Sequence, residues 1–330
     1  MREEAGDAVS STLEVAAAVD IVDPPRHGRA RLSERARAER ALGWKLAGPA
    51  WVIMLLVTAY PILNALYLSL FNYRLTDPNG RSFIWFKNYG VILSDSLWWN
   101  AVETTVIIMV ITVAIEFVLG MALAMVMNKI IIPRRVLRTV VLIPYSIITV
   151  VSAFSWQYAF QPSTGFINHW LHWITGGWFS SSYDWFGGHT SAVIAICVSE
   201  IWKTTPFMSL LLLAGLAQVP GELQEAAEVD GATFFERLWK VTLPSMKGAI
   251  MVALLFRAMD AFRIFDNPYI MTKGSQDTET VAFLAYNQTL TRSEIGLGSA
   301  ISILLFLLVS LIAFVFIKLF RTDLSRMRGD

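Results

Sequence analysis

Four charged residues stand three apart in an otherwise apolar run: Arg257, Asp260, Arg263 and Asp266, within MVALLFRAMDAFRIFDNPYIM. Charges at the middle of a membrane-inserted helix cost about 2.5–3.5 kcal/mol each, so such residues face a cavity, a partner or one another. Neighbours at i, i+3 on a helix can pair, and the four would wind slowly around one face of it. A second apolar run holds Trp202, Lys203, Thr204 and Phe207 in IWKTTPF. At about 1.5 Å per residue, Lys203 and Arg257 reach similar depths from opposite ends of their runs, with Glu200 close by. Charged and hydroxyl groups beside flat rings suit a carbohydrate, because polar groups bond its hydroxyls and rings cover its apolar face. Two basic groups at that depth would serve a phosphorylated or acidic solute equally well. Mutual neutralisation is the competing reading for Arg257 with Asp260. It is the preferred one for Arg263 with Asp266, as a structural or gating pair. Glu116, in another apolar run, reads as a buried partner between helices.

Other chemistries lack their residues. No GxxxxGK[ST] phosphate loop occurs, which excludes the usual backbone cradle for ATP. The four histidines, at 27, 169, 172 and 189, have no HExxH spacing, and His169 and His172 beside Trp170 and Trp173 read as interfacial side chains. The single Cys197 allows neither an internal disulfide nor a cysteine metal site. No nucleophile stands near a base, so the chain is expected to be non-catalytic, with no metal and no cofactor of its own.

The elements that must position these groups follow from composition. Of 330 residues 55% are hydrophobic and 16% charged, a balance that points to a polytopic membrane protein. A helix needs about 20 apolar residues to cross the hydrocarbon, and six runs qualify: about 46–71, 99–127, 136–160, 191–217, 247–269 and 297–320. The expected fold is all-α, six transmembrane helices with both termini on one side. Nineteen of the 27 Lys and Arg fall in the two tails, counting Lys318 at the end of the last run with the second, in 128–135 with Arg138, and in 218–247. Five lie in the opposite connections, and Lys203, Arg257 and Arg263 lie within spans. Basic residues are retained in the cytoplasm, so both termini are expected there. Residues 1–45 read as a basic, mostly disordered tail able to lie along anionic headgroups, 46–320 as the membrane domain and 321–330 as a short cytoplasmic tail. Pro61, Pro144 and Pro206 each remove a backbone bond within a span and permit a kink. The segments 72–98 and 161–190 are rich in Trp, Tyr and Phe, as at a membrane interface.

Between the fourth and fifth runs lies a charged stretch, EAAEVDGATFFERLWKVTLP, inside the loop 218–247. Pro220 can open a helix, Glu222 and Glu225 suit its positive end, Gly231 permits a turn, and TFFERLWKV makes a second short helix stopped by Pro244. Helices this short are marginal alone, so the pair must dock on something, either its own membrane domain or a cytoplasmic partner.

The spacing of EAA, then Gly231, then VTLP resembles the signature loop of permease subunits of binding-protein-dependent ABC importers. IWKTTPFMSLLLLAGLAQVPGELQ, FRIFDNPYIMTKGS, FKNY, WWNAVETT and AYPILNALYLSLFNY are similar to the carbohydrate permeases of the maltose and glycerol-phosphate type. Among subtypes the chain is similar to the first permease of actinobacterial trehalose importers. The resemblance covers about 45–320 and implies type I importer architecture. It implies that Glu225, Ala226, Ala227, Asp230, Gly231, Leu243 and Pro244 form a coupling helix and its flank, seated on a separate ATPase that binds ATP and Mg. It further implies a second homologous permease, two ATP-binding subunits, an extracytoplasmic solute-binding protein received in part by 272–280, a sugar substrate and surrounding lipid, with no nucleic acid. Substrate contacts in the family come from the stretch matching IWKTTPF and from the region of Arg257, Ala261 and Ile264, so the expected substrate path is Trp202, Lys203, Thr204, Phe207, Arg257, Asp260, Ala261 and Ile264. Arg257 departs from the small polar residues usual there. The rival class is a stand-alone secondary transporter or channel that uses the Arg/Asp strip for ion coupling. Such a protein should show inverted repeats, and none is visible.

Overall fold

The computed structural model describes residues 34–129 and 134–327. The reading of residues 1–33 as a basic tail, and the last three residues, lie outside the described residues. Helix α1 spans Glu34–Ser69, so residues 34–45, expected in the tail, begin the first helix. The described residues up to Tyr60 form a unit of their own. Trp44, Ile53, Leu56 and Val57 in it are exposed, as side chains that face lipid would be.

A hairpin follows, β1 (Phe71–Arg74) paired antiparallel with β2 (Asp77–Phe83), then α2 (Lys87–Ser94). This hairpin is the one sheet among the described residues of a chain that is otherwise helical, as expected. The side chain of Asn88 holds it in place by donating to the carbonyls of Ser69 (2.7 Å) and Phe71 (3.0 Å). The aromatic residues of this segment also have a local job, since the Arg81 guanidinium sits 4.5 Å from the centre of the Phe71 ring.

The remaining helices are α3 (Ser96–Lys129), α4 (Arg134–Ser146), α5 (Thr149–Ala159), α6 (Phe166–Ile174), α7 (His189–Leu216), α8 (Gly221–Val229), α9 (Phe234–Arg237), α10 (Lys247–Ala261), α11 (Asp266–Met271), α12 (Val281–Tyr286) and α13 (Ile295–Met327). Among the described residues four helices are long and apolar enough to cross a membrane, Leu42–Ser69, Ser96–Lys129, His189–Leu216 and Ile295–Lys318. These correspond to the first, second, fourth and sixth runs. The third run is broken: α4 and α5 meet at 85° around Ile147 and Ile148, just beyond Pro144. No such break follows Pro61 or Pro206, where the helix is continuous. One turn before Pro206, the carbonyls of Glu200 and Ile201 lie 2.7 and 2.6 Å from the hydroxyls of Thr204 and Thr205.

The fifth run is also interrupted, because α10 ends at Ala261 after 15 residues. Pro268 supplies the reason. A continuous helix would press its ring against the Ile264 carbonyl, so the chain turns and restarts at Asp266, which places Pro268 in a first turn where no N–H is needed. The Ile264 carbonyl accepts a bond from the Thr280 hydroxyl instead (2.8 Å).

The centre of the bundle is α7, packed along α3 and crossed by α10. Gly120 makes the α3–α7 approach possible, since a Cβ there would meet Met208 Cγ at 2.9 Å. Two apolar clusters stack along these helices. One holds Ile108, Ile196, Cys197 and Ile264; the other holds Met121, Met208, Leu212 and Ala253.

Candidate functional site

Between those two clusters the same three helices contribute a polar layer. Arg257 of α10 is fully buried and bidentate on Glu116 of α3, with Nε to Oε2 at 2.6 Å and Nη2 to Oε1 at 2.9 Å. Its Nη2 also lies 3.5 Å from Glu200 Oε1 of α7. The Glu200 Oε2 accepts from Asn267 Nδ2 at 2.7 Å. Thr204 Oγ1 is 2.6 Å from Glu116 Oε1 and accepts from Arg257 Nη2 at 3.2 Å. The third guanidinium nitrogen, Nη1, reaches Asp260 Oδ2 at 2.5 Å, and this carboxylate is 61% exposed. Each of the three guanidinium nitrogens of Arg257 thus has an acceptor, the condition under which a buried charge is tolerated. Glu116 is the interhelical partner anticipated from its place in the second run.

Asp260 opens from this layer into a cavity of about 460 Å³, in the size range of small-molecule sites. Glu200, Lys203, Thr204, Asp260, Arg263, Asp266 and Asn267 supply its polar wall, and Tyr145, Thr149, Ile264 and Phe265 complete it. Lys203 is only 8% exposed and donates to the Ile147 carbonyl at 2.9 Å, so it ties the break of the third run to α7.

The structure gathers Lys203, Thr204, Asp260 and Ile264 at this cavity and places the other path candidates elsewhere. Trp202 lines an apolar groove with Leu119, Val140, Pro144 and Pro206 and meets Trp156 edge-on, away from the cavity. Glu200, Lys203 and Thr204 stand at i, i+3 and i+4 and share the inward face of α7, and Trp202 falls outside it. Phe207 stacks on Tyr145 at 5.1 Å and supports the wall from behind. Ala261 is buried in packing, and Arg257 is sealed in the layer instead of lining the cavity. Arg263 and Asp266 both face the cavity, and no ion pair joins them, because α10 has ended between the two halves of the strip. Sequence reasoning left Tyr145, Thr149, Phe265 and Asn267 off the path and noted Glu200 only for its depth. Glu200 could have been found, since it stands one turn from Lys203 and Thr204.

At the far end of α7 the loop is built as a helix, a turn and a helix. Pro220 caps α8, and the end of α8 closes with Ala232 N donating to Ala227 O (2.9 Å) and Gly231 N to Glu228 O (3.0 Å). That pattern demands a left-handed residue, and Gly231 has φ +81°. Asp230 is the C-cap. Thr233 opens α9 with a reciprocal cap, its hydroxyl accepting from Glu236 N and its N–H donating to Glu236 Oε2 at 2.9 Å. The bond from the Thr233 backbone holds the Glu236 carboxyl below its usual range. An ion pair between Arg237 and Glu228 (2.5 Å) ties the two helices together. Pro244 does not stop the chain as expected. A widened π turn over Leu238–Thr242 absorbs its missing N–H, and Leu243–Ser245 continue into α10. Glu225 and Ala226 are exposed, Ala227 and Leu243 are half-buried, and Val229, Phe235 and Trp239 stand 88%, 69% and 68% exposed.

Residues 116–326 match the family model described as "Binding-protein-dependent transport system inner membrane component". The chain is 50% identical over 283 residues to the "Trehalose transport system permease protein SugA" of Mycobacterium tuberculosis, covering 86% of this chain and 90% of that one. It is 38% identical over 289 residues to the "Trehalose/maltose transport system permease protein MalF" of Thermococcus litoralis, covering 86% and 96%. Its fold matches a chain in the crystal structure of a bacterial alginate ABC transporter in complex with alginate pentasaccharide-bound periplasmic protein, with a TM-score of 0.70 at 21% identity over 86% and 96% of the two chains.

Proposed function

Because this chain belongs to the family of binding-protein-dependent transport system inner membrane components, we propose that it is one permease of an ATP-driven importer of a neutral disaccharide of the trehalose type. It is a multi-pass protein of the cell membrane and a transport component, without catalytic chemistry of its own. The proposed topology has six spans, the third broken and the fifth short, with both termini in the cytoplasm. A homologous second permease completes the path, two ATPase subunits bind ATP and Mg, and an extracytoplasmic binding protein delivers the sugar.

The observation that carries the reading is the arrangement along α7. Midway it faces the polar cavity, and at its end it runs into a loop whose apolar side chains are exposed. In the proposed mechanism the face of Glu225, Ala226 and Ala227 seats on the ATPase, small alanines permitting close approach and Glu225 accepting a charge-assisted bond. Closure of the ATPase pair then tilts α7 and α10, which the Glu116–Arg257–Glu200 layer makes move together. The substrate groups are Asp260, Arg263, Asp266, Asn267, Thr204 and Lys203. A neutral sugar is favoured over an anionic one because Arg257 is spent on carboxylates, Lys203 is engaged by a carbonyl, and Arg263 shares the cavity wall with the carboxylates of Asp260 and Asp266. The test is uptake of labelled trehalose into proteoliposomes holding the full complex. Uptake that requires ATP and the binding protein is expected. Uptake by this chain alone, driven by an ion gradient, would overturn the reading in favour of a secondary carrier.

A further inference from the structure

The segment 161–183 contains no Lys, Arg, Asp or Glu, yet its large apolar side chains project outward: Phe166, Trp170, Trp173, Ile174 and Trp178 are 43%, 60%, 82%, 70% and 89% exposed. Four of them belong to α6. At 100° per residue, Phe166, Trp170, Trp173 and Ile174 fall within one arc of roughly 100°. A second side of α6 is already used. There Asn168 is 1% exposed, donates to the Tyr183 carbonyl (2.9 Å) and accepts from Trp185 Nε1 (2.7 Å), while Ile167 packs on the core. A third edge carries His169 and His172, and His172 Nδ1 lies 2.7 Å from the Phe179 carbonyl. The helix therefore has a core side, an apolar side and a polar edge.

Its place in the fold restricts what can cover the apolar side. α6 lies just ahead of α7 in the chain and the coupling loop follows α7, a continuous helix of 28 residues or about 42 Å. The two segments thus sit at opposite faces of the membrane. The preceding helix, α5, presents Val151, Phe154 and Tyr158 at 53%, 55% and 60% exposure, an apolar strip on a span that leads directly into this segment. Tryptophan rings with one polar edge suit the headgroup level, and a segment without formal charge incurs no charge-burial cost there.

We propose that α6 is an interfacial helix lying in the leaflet opposite the coupling loop, with Phe166, Trp170, Trp173 and Ile174 sunk into the boundary of headgroups and acyl chains and the histidine edge toward water. It fastens the outer start of α7 to the bilayer surface, so that motion delivered at the other end of α7 works against a fixed point. The inference rests on the membrane topology proposed above, and its test separates the two.

In a Cys197→Ala background, single variants Trp173→Cys, Ile174→Cys and His169→Cys would carry a nitroxide label in the complete transporter, reconstituted into vesicles of phosphatidylcholine with phosphatidylglycerol. The expected result is a reversal of sign in the depth parameter: labels at 173 and 174 relax with oxygen and lie about 5–10 Å below the headgroups, whereas the label at 169 relaxes with an aqueous nickel chelate. Chelate access at 173 and 174 equal to that at 169 would overturn the proposal, since α6 would then stand in water. Shielding of 173 and 174 from both reagents would overturn it too, since a protein would cover the face. Topology is read independently by an impermeant maleimide, which should reach His169→Cys from outside intact cells and Gln218→Cys, exposed just beyond α7, only after permeabilisation. Failure of that result alone would reject the sidedness and leave the depth result standing.

Discussion

The polar layer and the projecting loop both interrupt an apolar chain with charge, and they are built on opposite terms. In the layer, Glu116, Glu200 and Arg257 are buried and satisfy one another across three helices. In the loop, α8 and α9 bury no side chain completely, their internal bonds are local, and Val229, Phe235 and Trp239 are left without cover. A group whose partners lie within the chain fixes the fold, whereas an ordered surface with no cover within the chain is shaped for another molecule. Removing parts of the layer should therefore cost stability, and removing parts of the loop face should cost coupling.

The largest effect is expected from Arg257→Met, which strands two buried carboxylates. It should destabilise the purified protein by about 3–5 kcal/mol, read by thermal unfolding in detergent. Adding Glu116→Gln should recover part of the loss, and additive losses would show that the two side chains do not act as a pair. Lys203→Met should come next, at about 1.5–3 kcal/mol, because the Ile147 carbonyl at the break of the third run loses its charged donor. Gly231→Val should cost about 1–2 kcal/mol of backbone strain and nothing in packing, since no atom lies within 4 Å of a Cβ there. Its effect on substrate-stimulated ATP hydrolysis should exceed its effect on melting, and the reverse would place the loop with the structural regions. The smallest stability change is expected from Asp260→Asn, below about 1 kcal/mol because the carboxylate is exposed. That variant should instead change the sugar concentration needed for half-maximal uptake.

Much of this contrast was legible in the residues. Long apolar runs gave four spans to within a few residues, and the loop was readable because each feature is local: Pro220, the Gly231 turn and the start of the second helix lie within a few positions. What stayed hidden depended on distance or on competition between local rules. Glu116 and Arg257 are 141 positions apart, and nothing in their spacing names the pairing. The strip of Arg257, Asp260, Arg263 and Asp266 assumed one helix, while Pro268 ended it and released Arg263 and Asp266 to the cavity. Trp202 was drawn to the path by its chemistry, although it lies off the Glu200, Lys203 and Thr204 face and so points outward. The hairpin at Phe71–Phe83 was obscured because its aromatics read equally well as interfacial residues.

The central claim is that the exposed loop couples this chain to a separate ATPase. The direct measurement is ATP hydrolysis by the reconstituted complex with binding protein and trehalose, comparing the native chain with Glu225→Lys. The account predicts stimulation by binding protein and sugar in the native complex and its loss in the variant, with the melting temperature of the permease unchanged. Full stimulation in the Glu225→Lys complex would contradict it.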